Sequence, residues 1–210
     1  MTETDTAPLC HTVARAWACS RRHLVATATA LGISLAAFAP AAAAHGMSQC
    51  RYAHAPISAA SRHELQRSVV CLINQERARR HLPRLHTSGR LNRSAQGWTT
   101  AMVRHESFSH GADFAARITA VGFDWSTVGE NIATGYRTPA GVVKAWMQST
   151  GHCQNILSPN FADVGTGVSG RAVPGFGSAA GTWTQDFGLP MGRHDPSGNW
   201  APANGCPYSN

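Results

Sequence analysis

The stretch Trp183-Thr184-Gln185-Asp186-Phe187 carries the clearest strand signal in the chain. Its larger side chains at 183, 185 and 187 alternate with Thr184 and Asp186, which is the two-residue period of a strand with one face buried. Residues 131–134 and the glycine-rich residues 164–168 are further candidate strands. All three lie in the second half of the chain, so the predicted sheet is built from that half.

Helix signals precede and separate these strands. Ser61-Arg62-His63-Glu64 is a capping box, and apolar residues follow it at helical spacing until Pro83. Three more helices are predicted: from about residue 88 to 106, over residues 114–121 with Gly122 as the stop, and from Thr138 to Gly151. Because helices come first and strands interleave late, we predict an α+β fold with an antiparallel sheet.

The composition is that of a folded domain. The chain has 210 residues, of which 43% are hydrophobic and 14% charged, and this excludes a disordered chain. The formal net charge is +7, but the basic residues are scattered along the sequence. This scatter argues against a nucleic-acid partner, and the net charge favours anionic walls or lipids.

The N-terminus has the order of an export signal. The basic pair Arg21-Arg22 precedes an Ala-rich apolar run and small residues at 41–44, so we predict cleavage near Ala44 and a secreted, extracellular protein. An uncleaved membrane anchor is the alternative. The predicted segments are the signal at 1–44, an arm with the start of the first helix at 45–68, the main domain at 69–190, and a tail at 191–210.

Four cysteines remain after the predicted signal, which suggests two disulfides with three connectivities. We favour Cys50–Cys71, which would pin the arm to the first helix. The second pair is then Cys153–Cys206, which would tie the tail to the main domain.

Four segments of the sequence match the motifs of a known family. They are Leu72-Ile73-Asn74-Gln75-Glu76-Arg77, Phe108-Ser109-His110, Gly129-Glu130-Asn131, and Gly151-His152 followed by Val164-Gly165-Thr166-Gly167-Val168. In this order they resemble the bacterial branch of the CAP superfamily (cysteine-rich secretory proteins, antigen 5 and pathogenesis-related 1; SCP-like extracellular domains) over about residues 69–187. The resemblance implies a three-layer α-β-α sandwich with a central antiparallel sheet and a cleft.

The resemblance also implies a cleft with two histidines and two acids. His110, His152 and Glu130 match three of these positions. In many eukaryotic members the second acid follows the tryptophan of the fourth helix, whereas Met147-Gln148-Ser149 occupies that place here. Glu106, four residues before His110, is a candidate to take the place of the second acid.

Two imidazoles and one carboxylate supply three metal ligands with an open fourth position, the pattern of a catalytic zinc site. Zinc is thus the candidate cofactor, although the H-E-x-x-H motif of many zinc proteases is absent. The alternative is a metal-free cluster in which the imidazoles, titrating near about 6.5, hydrogen-bond one another and Glu130.

One glycine-rich string resembles a dinucleotide-binding motif, but we do not interpret it as one. Residues 165–170 spell G-x-G-x-x-G, but a dinucleotide site needs a helix to open there, and Arg171-Ala172-Val173-Pro174-Gly175 follows instead.

Besides a purely structural surface protein, two classes of function remain open. The first is a non-enzymatic secreted binding module whose cleft holds a small amphiphile (a sterol or fatty acid), a cell-wall component or a divalent metal. The second is a metal-assisted or serine-type hydrolase acting on peptides or wall polymer, for which no G-x-S-x-G elbow is present.

Overall fold

The structure is a computed structural model that describes residues 50–177, 180–193 and 206. Its helices are α1 (Arg62–Ala78), α2 (Gly89–Arg104), α3 (Phe114–Ala120), α4 (Pro139–Met147) and α5 (Thr150–Leu157). Its strands are β1 (His86–Thr87), β2 (Trp125–Thr134), β3 (Asp163–Ser169) and β4 (Thr182–Pro190). The predicted export signal and most of the tail lie outside the described residues. None of the helices within those ranges is long and apolar enough to cross a membrane.

The four strands form one sheet in the order β1-β3-β4-β2. β4 is central and antiparallel to both β2 and β3, in agreement with the predicted sheet. β1 was not predicted and pairs parallel with β3, at one edge. Two residues are too few to show a strand period in the sequence, so this parallel strand could not be predicted.

Helices cover both faces of the sheet. α2 packs on β3 and β4, while a large apolar cluster joins α1, α4 and α5 to the other face. β4 is consequently buried from Thr182 to Leu189, including Asp186 on its polar side. The prediction that this strand is half-buried is therefore wrong. Its alternating side chains point to the two faces of the sheet, and both faces are covered by helices.

The predicted fourth helix is two helices. α4 ends at Met147, and α5 begins at Thr150, so Gly151 lies inside a helix instead of ending one. α5 buries Cys153, Ile156 and Leu157, at the i, i+3 and i+4 positions of one helical face. This short helix carries His152 to the sheet.

Two glycines of β3 let α2 lie directly on the sheet. A Cβ atom at Gly165 would overlap the backbone of Leu91 and Asn92, and one at Gly167 would overlap the backbone of Ala95. The discounted glycine string therefore has a packing role, since only glycine permits so close an approach of helix and strand.

Beyond its short pairing with β1, the edge of β3 is covered by side chains of α1 and α2. Asn92 Oδ1 accepts the Thr166 N–H at 2.8 Å, and Gln96 Oε1 accepts the Val168 N–H at 3.0 Å. Gln66 of α1 donates to the Thr166 carbonyl at 2.7 Å. These amides satisfy backbone groups that an open edge would leave unpaired.

The cysteines that the structure describes form two disulfides, Cys50–Cys71 and Cys153–Cys206, and this is the pairing favoured from the sequence. The first joins the N-terminal arm to α1. The second joins α5 to the tail.

We expect Gly165→Ala to lower the free energy of unfolding by about 3 kcal/mol, because its methyl group must displace the α2 backbone. Urea denaturation measures this loss. Gly151→Ala is the matched control, since a Cβ there meets no atom within 4 Å, and we expect it to be neutral or to stabilise by about 0.5–1 kcal/mol. Equal stability of the two variants would contradict the close approach.

Candidate functional site

The outer edge of β2 is covered by the two helices that follow it. Asn155 Nδ2 of α5 donates to the Glu130 carbonyl at 3.1 Å, and Trp146 Nε1 of α4 donates to the Ile132 carbonyl at 3.3 Å. Asn131 Nδ2 in turn donates to the His152 carbonyl at 3.2 Å. These bonds fix the start of α5, and with it His152, against β2.

A cavity of about 450 Å³ opens at this edge. His110, from the loop after α2, and His152, from α5, both line it, so the structure brings the two predicted histidines together. The remaining wall is mainly apolar and includes Phe108, Tyr136 and Phe176. We call this space the histidine cavity.

Glu130 lies beneath His110 and does not line the histidine cavity. Its side chain is fully buried, at 0% exposure. The His110 Nδ1–H donates to Glu130 Oε1 at 2.8 Å, and Arg117 Nη2 donates to Oε2 at 2.6 Å. Glu130 is thus a buried anion with both oxygens occupied, rather than a group open to solvent.

Arg117 of α3 was not predicted, and it organises this side of the site. Besides binding Glu130, its Nη1 donates to the His110 carbonyl at 2.9 Å. Its guanidinium also stacks on the Trp98 ring at 3.8 Å, and Trp98 Nε1 donates to the Ser109 carbonyl at 3.0 Å. The loop that carries His110 is therefore held at successive points by one cation and its aromatic partner.

The acid that lies beside Glu130 is Asp186, and not Glu106. Asp186 pairs with Glu130 across β4 and β2, and its residue exposure is 1%. Its carboxyl interacts with the Glu130 carboxyl and the Ser94 hydroxyl, although neither oxygen makes a hydrogen bond of ordinary geometry to a described residue. Glu106 lines a different hollow, beside Arg171. The period-2 pattern contained Asp186 but placed it on the solvent side.

The environment favours one negative charge on this acid pair. Burial raises the pKa of Asp186 well above its ordinary value, and the adjacent Glu130 charge raises it further. Burial also raises the pKa of Glu130, whereas the positive charge and hydrogen bond of Arg117 lower it. Since Glu130 has the cation and the imidazole, we assign the retained proton to Asp186.

The surroundings lower the pKa of both imidazoles, which favours their neutral form. Burial lowers the pKa of His110, and the Arg117 charge adds to this effect. Burial likewise lowers the pKa of His152, with a smaller contribution from His110. In neutral His110 the proton sits on Nδ1, facing Glu130, so Nε2 is left as a hydrogen-bond acceptor.

The three predicted zinc ligands differ in position: His110 and His152 line the cavity, whereas Glu130 is buried beneath it. No group of three or more His, Cys, Asp or Glu side chains within the described ranges is placed to hold a metal ion. Glu130 is already bound by His110 and Arg117, and a metal would have to displace them. Zinc binding by His110, His152 and Glu130 stays a prediction.

Together the fold and site define a class: an α-β-α sandwich with a buried acid pair beneath a histidine cavity. The sequence profile of the CAP family, described as the Cysteine-rich secretory protein family, matches residues 70–187. The chain belongs to this family.

Individual relatives agree with this assignment. The chain is 37% identical over 127 residues to the uncharacterized protein YkwD of Bacillus subtilis (strain 168), a match that covers 58% of this chain and 46% of that relative. The aligned part is thus less than half of YkwD.

Solved structures show the same fold. An extracellular SCP-domain protein from Bacillus anthracis has a TM-score of 0.53 at 24% identity, covering 60% of this chain and 41% of that one. An outer surface protein of Borrelia burgdorferi has a TM-score of 0.51 at 17% identity, covering 58% and 90%. At these identities the likeness concerns the fold alone.

We expect Arg117→Ala to destabilise the protein by about 3 kcal/mol, because it leaves the buried Glu130 charge without its cation. Urea denaturation measures the loss. Adding Glu130→Gln should recover part of the stability, since it removes that charge. A double variant no more stable than Arg117→Ala would contradict the ion pair as the cause.

Asp186→Asn should become more stabilising, relative to wild type, as the pH rises from about 4 to 7. The raised pKa means that folded Asp186 keeps a proton which the unfolded chain loses near pH 4, so rising pH lowers wild-type stability. Asparagine has no such proton to lose. Urea denaturation across this range tests the sign, with exposed Asp124→Asn as the control for loss of one carboxyl. A difference that does not change with pH would refute the proton on Asp186.

Proposed function

We propose that the protein is an exported binding module whose histidine cavity holds a small amphiphile. The observation that carries this proposal is a cavity of about 450 Å³ with an aromatic wall and two imidazoles. This volume is within the range of small-molecule sites, which combine a mostly apolar wall with a few placed polar groups.

The aromatic wall would take the apolar body of the ligand. Phe176 is 55% exposed and Tyr136 is 37% exposed, and both line the cavity. Phe176 packs against Phe108 with ring centroids 5.7 Å apart. Large apolar side chains left open to water at a cavity mouth are typical of a surface that a ligand covers.

The imidazoles would take the polar head. His110 Nε2 is an acceptor because Nδ1–H is committed to Glu130, so it suits a head group that donates a hydrogen bond. A hydroxyl, as in a sterol, donates one, whereas an ionised carboxylate only accepts. We therefore expect a sterol-like alcohol to bind more tightly than a fatty acid.

Export rests on other observations. Two disulfides are present, and such bonds persist in oxidising compartments. Together with the signal-like sequence at 1–44, these support a secreted protein, with a wall component as a further candidate ligand.

Fluorescence titration with a fluorescent sterol and a fluorescent fatty acid tests the binding proposal. We expect Phe176→Ser to weaken sterol binding about tenfold, since covering one aromatic side chain is worth about 1.5–3 kcal/mol. Met191→Ser is the matched control, because Met191 is 66% exposed and does not line the cavity. Equal effects of the two variants, or no binding of either probe, would reject the proposal.

A hydrolase is the second candidate, and one observation favours it. A histidine oriented by a buried carboxylate is the arrangement of a general base, and Ser149 lines the same cavity as His110. Turnover of peptide or wall polymer that is lost in Glu130→Gln would place this function first. Sensitivity of that turnover to a chelator would identify the metal-assisted form.

A further inference from the structure

A second hollow, of about 470 Å³, lies over α1 and α2 beside the edge of β3. Arg62 of α1 and Arg93 and Arg104 of α2 line it, and we call it the arginine groove. It shares no lining residue with the histidine cavity. Basic residues that are scattered in the sequence are thus gathered by the fold on one surface.

The charge of this groove is not neutralised from within. No Asp or Glu lines it. In the portion of the chain that the structure describes, none of its three arginines forms an ion pair with a carboxylate: Arg93 donates to the Val121 carbonyl at 3.4 Å, and Arg104 contacts His105 at 3.0 Å. Several unpaired guanidiniums around one hollow make a site for a ligand with more than one negative charge.

The groove is elongated. Arg93, Gly97, Thr100 and Arg104 follow at intervals of four, three and four residues, which places them along one helical face about 16 Å long. An adjoining hollow shares Gln96, Thr100 and Arg104 and adds Arg171 with one acid, Glu106. The matching ligand is therefore a chain rather than a single ion.

The floor presents one side-chain donor that makes no bond to a described residue, and a part of the α2 backbone that no side chain covers. The oxygens of Asn92 and Gln96 are turned to the β3 edge, which leaves Asn92 Nδ2 without a partner among the described residues. Gly97 is exposed within α2, and a Cβ there would meet nothing within 4 Å. Packing does not require this helix-weakening glycine, but its absent side chain lets a ligand approach the backbone.

We propose that the arginine groove binds a linear polymer of inorganic phosphate. No aromatic residue among those described lines it, so the described part offers no platform on which bases or sugar rings could stack. Tyr136, Phe176 and Met191, the exposed large apolar residues of the described ranges, all lie outside it and so provide no anchor for a lipid bilayer there. This site is independent of the amphiphile proposed for the histidine cavity.

Calorimetric titration of the purified protein with inorganic polyphosphate tests this proposal. We expect the triple variant Arg62→Gln, Arg93→Gln, Arg104→Gln to bind about tenfold more weakly, with a slope of log affinity against log salt shallower by about 2. The control triple Arg84→Gln, Arg90→Gln, Arg137→Gln removes the same charge from exposed positions outside the groove. It should change affinity less than threefold.

Gly97→Leu tests the groove without changing charge. It should weaken polyphosphate binding at least fivefold while leaving thermal stability equal or higher, because leucine favours a helix. Equal losses in the two triple variants would overturn the proposal, as would full competition by monomeric phosphate at equal phosphate concentration. Tighter binding of anionic vesicles or duplex DNA through the same three arginines would overturn it in favour of those partners.

Discussion

The contact on which this molecule depends is the backbone-to-backbone packing of α2 against β3 at Gly165 and Gly167. With no side chain between them, α2 reaches the centre of the sheet, where Thr99 Oγ1 donates to Thr184 Oγ1 at 2.8 Å. The same placement puts Trp98 beneath the loop of His110 on one side of the helix and the arginine groove on the other. The close approach of α2 to β3, which the two glycines allow, therefore positions both candidate sites.

The second constraint is electrostatic. A fully buried Glu130 is tolerated because Arg117 and His110 occupy its oxygens and because Asp186 keeps its proton. The Glu130 carboxylate therefore orients His110, and neither of its oxygens is free to bind a ligand from solution. As a result, His110 presents Nε2 as its acceptor nitrogen to the histidine cavity.

Both candidate sites lie where a sheet edge is closed by side chains instead of strands. At β2 the closing residues are Asn155 and Trp146, and at β3 they are Asn92, Gln96 and Gln66. Covering an edge in this way prevents edge-to-edge association and leaves a hollow between the helix and the strand. The two hollows differ in chemistry because an aromatic wall borders one and arginines border the other.

The sequence by itself determined what short-range chemistry encodes: helix starts at Ser61 and Thr138, the strand alternation at 183–187, and a motif order that pointed to His110, His152 and Glu130. It could not show that Glu130 is sealed from solvent, because burial depends on which elements cover a residue. For the same reason it placed Asp186 outward and gave no sign of Arg117. Only the tertiary structure decided these points and brought Arg62 of α1 beside Arg93 and Arg104 of α2. Side chains on different elements meet only when those elements pack together.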